Sequence, residues 1–304
     1  MALRTDLAIE MSGGEKEDIK GVEKEYNEQG DIKITTVKIT SVEGERATGK
    51  PMGEYITLEF PPIYKICDFS VLEKTVIGAL ERLLKGKREN ILIAGLGNTE
   101  ITPDAVGPLT ARGILATRHI SGQFAEDIGL KGLKSVSVIT PGVLGQTGIE
   151  TAELIKGAIS AVRPDVLIVI DALTAGSAER LFRTIQLCNT GISPGSGVKN
   201  SRQEISEKNL DIPVIAVGVP TVTDADTLAL ELTGKEPEKE SNMFVTPKDV
   251  DLLVDRISEI LAQALNLFLQ PEIDGDIISR LVELKSRRHK ISVWEAGKCV
   301  KMRQ

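Results

Sequence analysis

Three apolar runs, "ILIAGL" (91–96), "VLIVIDAL" (166–173) and "PVIAVGV" (213–219), constrain this chain more than any other feature. Each has the length of one strand, and none alternates with polar residues. Continuous apolarity marks strands buried on both faces, as in a parallel sheet covered by helices on either side. A weaker run, "SVSVIT" (135–140), adds a fourth strand. Segments with helical spacing lie between them, such as "TGIETAELIKGAISA" (147–161). The alternation predicts an α/β fold with a mostly parallel sheet flanked by helices. At 304 residues and 41% apolar composition, the chain is long enough to bury a sizeable core.

The segments outside this block have a different texture. Residues 1–30 are polar and rich in Glu and Lys. "DIKITTVKIT" (31–40) and "GEYITLEF" (53–60) alternate, which predicts a small N-terminal antiparallel β element over 1–60, closed by Pro61-Pro62. "SVLEKTVIGALERLLKG" (70–86) has the spacing of a helix with Gly86 at its C-cap. After a polar linker (233–242), "TPKDVDLLVDRISEILAQALNLFL" (246–269) predicts a helix with Thr246 at the N-cap, Pro247 at N1 and Asp249 at N3. Together these read as one α/β domain over 1–270. Residues 271–304 form a basic C-terminal tail with eight Lys/Arg against five Asp/Glu. Its cluster "KSRRHK" (285–290) reads most simply as solvated surface, and Trp294 as a packing anchor.

Charge narrows the function. A net charge of -7 argues against direct nucleic-acid binding and suits a handler of basic proteins or peptides. The three cysteines, Cys67, Cys188 and Cys299, share no pairing motif and fit a reducing interior. "MALRTDLAIEM" lacks the apolar core of a signal peptide, and no stretch is long enough to span a membrane. The expectation is a soluble intracellular protein.

Two aspartates stand out. In "ILIAGLGNTEITPDAVGP" (91–108), Gly95 and Gly97 suggest a phosphate cradle. The third glycine of a dinucleotide fingerprint is replaced by Glu100, whose charge opposes a pyrophosphate, and no Gly-Lys-Ser/Thr follows. The same stretch places Thr102 at a helix N-cap, Pro103 at N1 and Asp104 in the first turn, where a carboxylate complements the helix dipole. Asp171 follows five apolar residues in "VLIVIDAL", at the expected carboxyl end of a buried strand, where burial of a carboxylate is costly unless it is paired or lies in a crevice. Crevices beyond strand carboxyl ends are where open α/β sheets build sites. Two carboxylates brought together there separate in pKa, so that one activates water while the other protonates a leaving amine. The same pair with a third ligand would hold a metal, although two histidines, His119 and His289, exclude a His-rich zinc site.

Other motifs are weaker. Gly191-Ile-Ser193-Pro194-Gly195 matches a serine-hydrolase elbow, but Pro194 lacks the N–H that the oxyanion requires. Cys188 with His119 as base is a poorer reading than a small buried thiol. "TGISPGSGVKN" (190–200) reads as a glycine loop beside the site.

The stretches "RTDLAIE" (4–10), "GLGNTEITPDAVGP" (95–108), "TRHI" (117–120), "PGVLGQTGIET" (141–151), "RPDVLIVIDAL" (163–173), "TIQLCNTGISPGSGVKN" (184–200), "IPVIAVGVPTV" (212–222) and "VTPKDVD" (245–251) occur in the order seen in the germination protease of endospore-forming bacteria, which the chain resembles from residue 4 to about 270. The resemblance implies a fold similar to the hydrogenase-maturation endopeptidases. It implies an aspartic-type endopeptidase, with no metal or other cofactor, that degrades small acid-soluble spore proteins at germination. It also implies a homotetramer in the cytoplasm of the forespore and spore core, with Asp104 and Asp171 as the catalytic pair. The family is made as a zymogen, and the resemblance puts the self-cleaved bond between Asp6 and Leu7. Only three residues precede "RTDLAIE", so the expected propeptide is very short. The chain departs from the resemblance at Ser193, where the family often has His in "GIHPGSG", and in the basic tail. Two rival readings stay open: a metal-assisted, hydrogenase-maturation-like peptidase, and a non-catalytic binder of basic spore proteins.

Overall fold

All three apolar runs are strands, and they lie side by side. β4 (Asn90–Gly95), β6 (Val166–Ala175) and β8 (Val214–Asp224) pair in parallel, and β5 (Ser135–Ile139) adds to the β4 edge. The computed structural model describes residues 4–13, 18–120, 125–126, 130, 132–195, 202–235, 237 and 240–282. "KSRRHK", Trp294, His289 and Cys299 lie outside the described residues, as do residues 196–200 of the glycine loop.

The sheet is mixed rather than mostly parallel. Its order is β1-β2-β3-β7-β8-β6-β4-β5, with β9 (Phe244–Val245) on the end of β8. β1 (Val22–Gln29), β2 (Ile32–Ile39) and β3 (Gly53–Glu59) run antiparallel to one another. β7 (Thr184–Cys188) is antiparallel to both β3 and β8. The expected N-terminal β element is therefore welded through β7 to the parallel half. The reason is physical: continuous apolarity reports burial on both faces, not strand direction. All five residues of β7 are buried although both its neighbours run against it.

β1 is an edge strand with almost every side chain exposed, so "VEKEYNEQ" has no apolar face to show. Charged side chains also discourage pairing with another chain.

Helices cover both faces. α1 (Val42–Thr48) caps the antiparallel half; Ser41 accepts from Gly44 N at its start and Gly49 (φ 66) closes it. α2 (Ser70–Leu83), α3 (Val106–Gly113) and α6 (Val250–Leu269) pack against the main hydrophobic cluster, with Leu80, Val106, Ile257 and Leu265 fully buried. α4 (Thr151–Val162) covers the opposite face, where Ile155 meets Leu92, Leu167 and Val169. α5 (Ala225–Thr233) follows β8 and is capped by Asp224, whose Oδ1 accepts from Asp226 N and Thr227 N. Residues 275–282 are helical, and Ile273 and Ile278 pack against Ala125 and Leu130.

Several expected caps fall elsewhere. α2 ends with Leu84 at its C-cap, not at Gly86. α6 begins at Val250, because Thr246 Oγ1 donates to Thr221 O at 2.8 Å and is spent on tying the entry to β8. Thr102 and Pro103 form a 3₁₀ turn with Asp104, and α3 starts only at Val106.

Candidate active site

Asp171 is not at a strand end as expected: β6 runs on past it to Ala175, while β4 stops at Gly95 and Asp104 lies in the 3₁₀ turn that follows. Asp171 lies within β6, opposite Gly218 of β8, and is 6% exposed. Its Oδ1 accepts from Ala172 N at 2.9 Å. Asp104 closes the loop after β4: its Oδ2 accepts from Asn98 N at 2.8 Å. The carboxylate thus points back toward the β4 turn.

The glycines set this geometry. Gly97 has φ 116, and a Cβ there would lie 2.0 Å from Asp104 O. A Cβ on Gly107 would lie 2.2 Å from Leu96 O and 2.4 Å from Ile170 O. They let the loop, α3 and β6 meet backbone to backbone. The close approach, not a phosphate, accounts for the glycine motif.

Burial pushes the Asp171 carboxyl well above the ordinary aspartate range, and the charges of Asp104 and then Asp6 push it further. Burial also raises Asp104, against the opposing effect of the Asn98 N–H. The mutual repulsion registers on Asp171, the deeper group. The rise of Asp104 comes from desolvation. The arrangement favours one neutral and one ionised carboxyl.

The N-terminal segment is threaded into the same region. Asp6 pairs with β6 both ways: Asp6 N donates to Thr174 O and Thr174 N donates to Asp6 Oδ2, each at 2.9 Å. Leu7 is 0% exposed, and the single helical turn Ala8–Met11 follows it. Upstream, Arg4 pairs with the fully buried Asp224 and with Glu240. A cavity of about 370 Å³ lies alongside, bordered by Asp6, Lys50, Tyr55, Leu173, Gln186 and Gly218. Its lining includes Thr190, Gly191, Ile192 and Ser193 of the glycine loop. Neither catalytic candidate lines it. A second cavity, about 450 Å³, is bordered by Gly97, Thr99, Gly142 and Gln146.

The other candidates separate. Cys188 is buried on β7, and burial pushes its thiol up. His119 is exposed on the Thr117–Ile120 turn beside Val136, at the start of β5, with three strands between β5 and β7. They form no nucleophile and base pair. Among the described residues, no three His, Cys, Asp or Glu side chains group as metal ligands do.

Lys50, Gln186, Asn98 and Gln146 were not singled out from the sequence. Gln186 carried a usable signal, a polar amide inside the apolar strand "TIQLC", since a buried amide must find partners. Gln146 Nε2 donates to Asn98 Oδ1 at 2.7 Å, which fixes the loop that holds Asp104.

Comparison with known proteins places these residues in context. A family model described as "Germination protease" matches residues 4–233. A germination protease of Clostridium tetani is 41% identical, aligned over 92% of this chain and 99% of its own length. One from Caldanaerobacter subterraneus subsp. tengcongensis is 42% identical over 93% of this chain and 98% of its own. One from Bacillus velezensis is 35% identical over 90% and 95%. Among solved structures, a [NiFe] hydrogenase maturation protease, HycI of Thermococcus kodakarensis, aligns to 62% of this chain and 98% of its own at 16% identity, with a TM-score of 0.35. At that score the likeness carries no argument.

Proposed function

This chain belongs to the germination protease family, and from that premise we propose that it is an endopeptidase of small acid-soluble spore proteins in which Asp104 and Asp171 activate water without a metal. The observation that carries the reading is the pair itself: Asp171 buried inside β6 and Asp104 on the turn after β4, with burial first and the charge of Asp104 second disfavouring the Asp171 anion. The ionised member takes a proton from water as it attacks the peptide carbonyl. The neutral member gives its proton to the departing amine. Aspartates sharing a site divide these roles because both cannot ionise cheaply.

In the same reading the chain is a self-processing zymogen cut between Asp6 and Leu7. The docking of "RTDLA" beside the pair supports this, because a segment held there is a substrate already in place. A homotetramer acting in the cytoplasm of the forespore and spore core completes the proposal, and sedimentation velocity tests the assembly. No helix among the described residues is long and apolar enough to cross a membrane.

The test is incubation of the purified protein with an α/β-type acid-soluble spore protein, with and without chelator, mapping every cut by mass spectrometry. Chelator-insensitive cuts after acidic residues are expected. Loss of cutting in chelator supports a metal-assisted peptidase instead. Salt-sensitive binding with no cleavage by trimmed protein supports a binder.

A further inference from the structure

The carbonyl oxygen of Asp6 has two side-chain donors. Lys50 Nζ donates to it at 3.0 Å and Gln186 Nε2 at 3.1 Å. Gln186 also accepts at its other end, from Ala8 N at 2.6 Å. One carboxamide therefore spans the peptide from the Asp6 carbonyl to the second amide beyond it. The next nitrogen, Leu7 N, donates to Thr5 Oγ1 at 3.0 Å.

The sheet fixes where this clamp lies relative to Asp171. Gln186 on β7 is registered with Gly218 on β8, and Gly218 with Asp171 on β6. The three residues form one row, so their side-chain positions share a face, with Gln186 and Asp171 two strands apart, about 10 Å between backbones. Between them stands Gly218, and the space over it is taken by the Leu173 side chain, whose Cδ1 lies 2.4 Å from where a Cβ of residue 218 would be. Lys50 enters from the other side, immediately after Gly49 ends α1 in the left-handed conformation. Gln186 is 7% exposed, and an amide that deep is retained only where both its ends are satisfied. Here both are satisfied by the peptide of the N-terminal segment.

We infer that Lys50 and Gln186 are catalytic residues that bind the scissile carbonyl oxygen and stabilise the oxyanion formed on it. This rests on the reading of the carboxylate pair as the water-activating group and of Asp6–Leu7 as a bond it cuts. Water oxygen bonds to the Asp6 carbonyl carbon while its proton passes to the ionised carboxylate. The C=O electron pair settles on the oxygen held by Lys50 and Gln186. That pair then re-forms the C=O bond as the C–N bond breaks, and the Leu7 nitrogen takes the proton of the neutral carboxyl. The products are a carboxyl at Asp6 and an amine at Leu7. Departure of residues up to Asp6 frees both donors for the carbonyl of a substrate protein, so one clamp serves cleavage in cis and then in trans. Preorganised donors of this kind act where charge develops, and removing one typically costs about 10²–10³ in kcat.

The test compares wild type, Lys50→Met, Gln186→Leu and the conservative Lys50→Arg as full chains, reading kcat and KM on an acid-soluble spore protein and mapping the N-terminus by mass spectrometry. Lys50→Met and Gln186→Leu are expected to lose about 10²-fold in kcat with little change in KM, and Lys50→Arg to recover part of the loss. Wild-type kcat in both variants overturns the clamp. Wild type that cuts the spore protein but leaves Asp6–Leu7 intact overturns the self-cleavage reading alone, and the spore-protein kinetics still decide the clamp. A readout independent of turnover uses isotope-edited infrared spectra of the Asp6 carbonyl in the Asp104→Asn background. The band is expected to move to higher frequency when Lys50→Met is added. An unmoved band in a folded variant overturns the assignment of Lys50.

Discussion

Asp171 is the residue on which the account turns. Its carboxyl is neutral to higher pH in the folded chain than in the unfolded one, where aspartate titrates near its ordinary value of about 3.9. The sign follows from linkage: the folded state binds the extra proton, so this group favours folding fully below the ordinary range. That contribution is lost as pH rises through the raised folded value. Asp171→Asn removes the titration and leaves a side chain that still accepts from Ala172 N. It is expected to raise the melting temperature at pH 7, by an amount equivalent to about 1 kcal/mol or more given what an uncompensated buried polar group costs. The gain should shrink toward nothing near pH 4. A calorimetric difference that does not change with pH contradicts the assignment. Asp104→Asn, at a less buried site, is expected to show the same trend more weakly. Both variants should lose about 10²–10⁴ in cleavage rate, the usual contribution of a positioned acid or base.

At the scale of elements, the loop from Gly95 to Asp104 and helix α3 act as one part. Gly97→Ala forces a Cβ against Asp104 O at a positive φ, so the loop must move and take the carboxylate with it. A displacement of even 1 Å is expected to cost about 10² in rate. Gly234, also at positive φ (68) but with open space around it, is the control. Gly234→Ala is expected to cost about 1 kcal/mol of stability with the cleavage rate unchanged. Comparing the two variants by melting and by rate separates strain from displacement. Much of this part was legible beforehand. The apolar runs gave β4, β6 and β8, and the two aspartates that follow "ILIAGL" and "VLIVI" drew attention to this end of the sheet. The partners were not. Asn98 and Gln146 are ordinary polar residues in turns, and Lys50 follows a short helix that sequence periodicity does not reveal. β1 was hidden because an exposed edge strand has no apolar face. β7 was hidden because five residues interrupted by Gln186 are too short a run. The direction of β7, and with it the mixed sheet, depends on long-range pairing that local pattern does not encode.

For the whole molecule, the N-terminal segment is both a structural strap and the proposed first substrate. Arg4 compensates Asp224, which is fully buried and already spends its other oxygen capping α5. Removing one partner of a buried pair costs about 3–5 kcal/mol when the other stays in place. Trimming after Asp6 is therefore expected to lower the melting temperature, and Arg4→Ala in the untrimmed chain to reproduce part of the fall. Calorimetry of the two forms checks this, and equal melting temperatures contradict the strap. The central claim is that Asp104 and Asp171 together do the chemistry. Its most direct test is the initial rate of spore-protein cleavage by trimmed wild type, Asp104→Asn and Asp171→Asn, each with and without chelator. Wild-type rates are expected to be unchanged by chelator, and each folded variant to lose at least about 10²-fold. Full activity in either variant, or loss of wild-type activity in chelator, contradicts that claim.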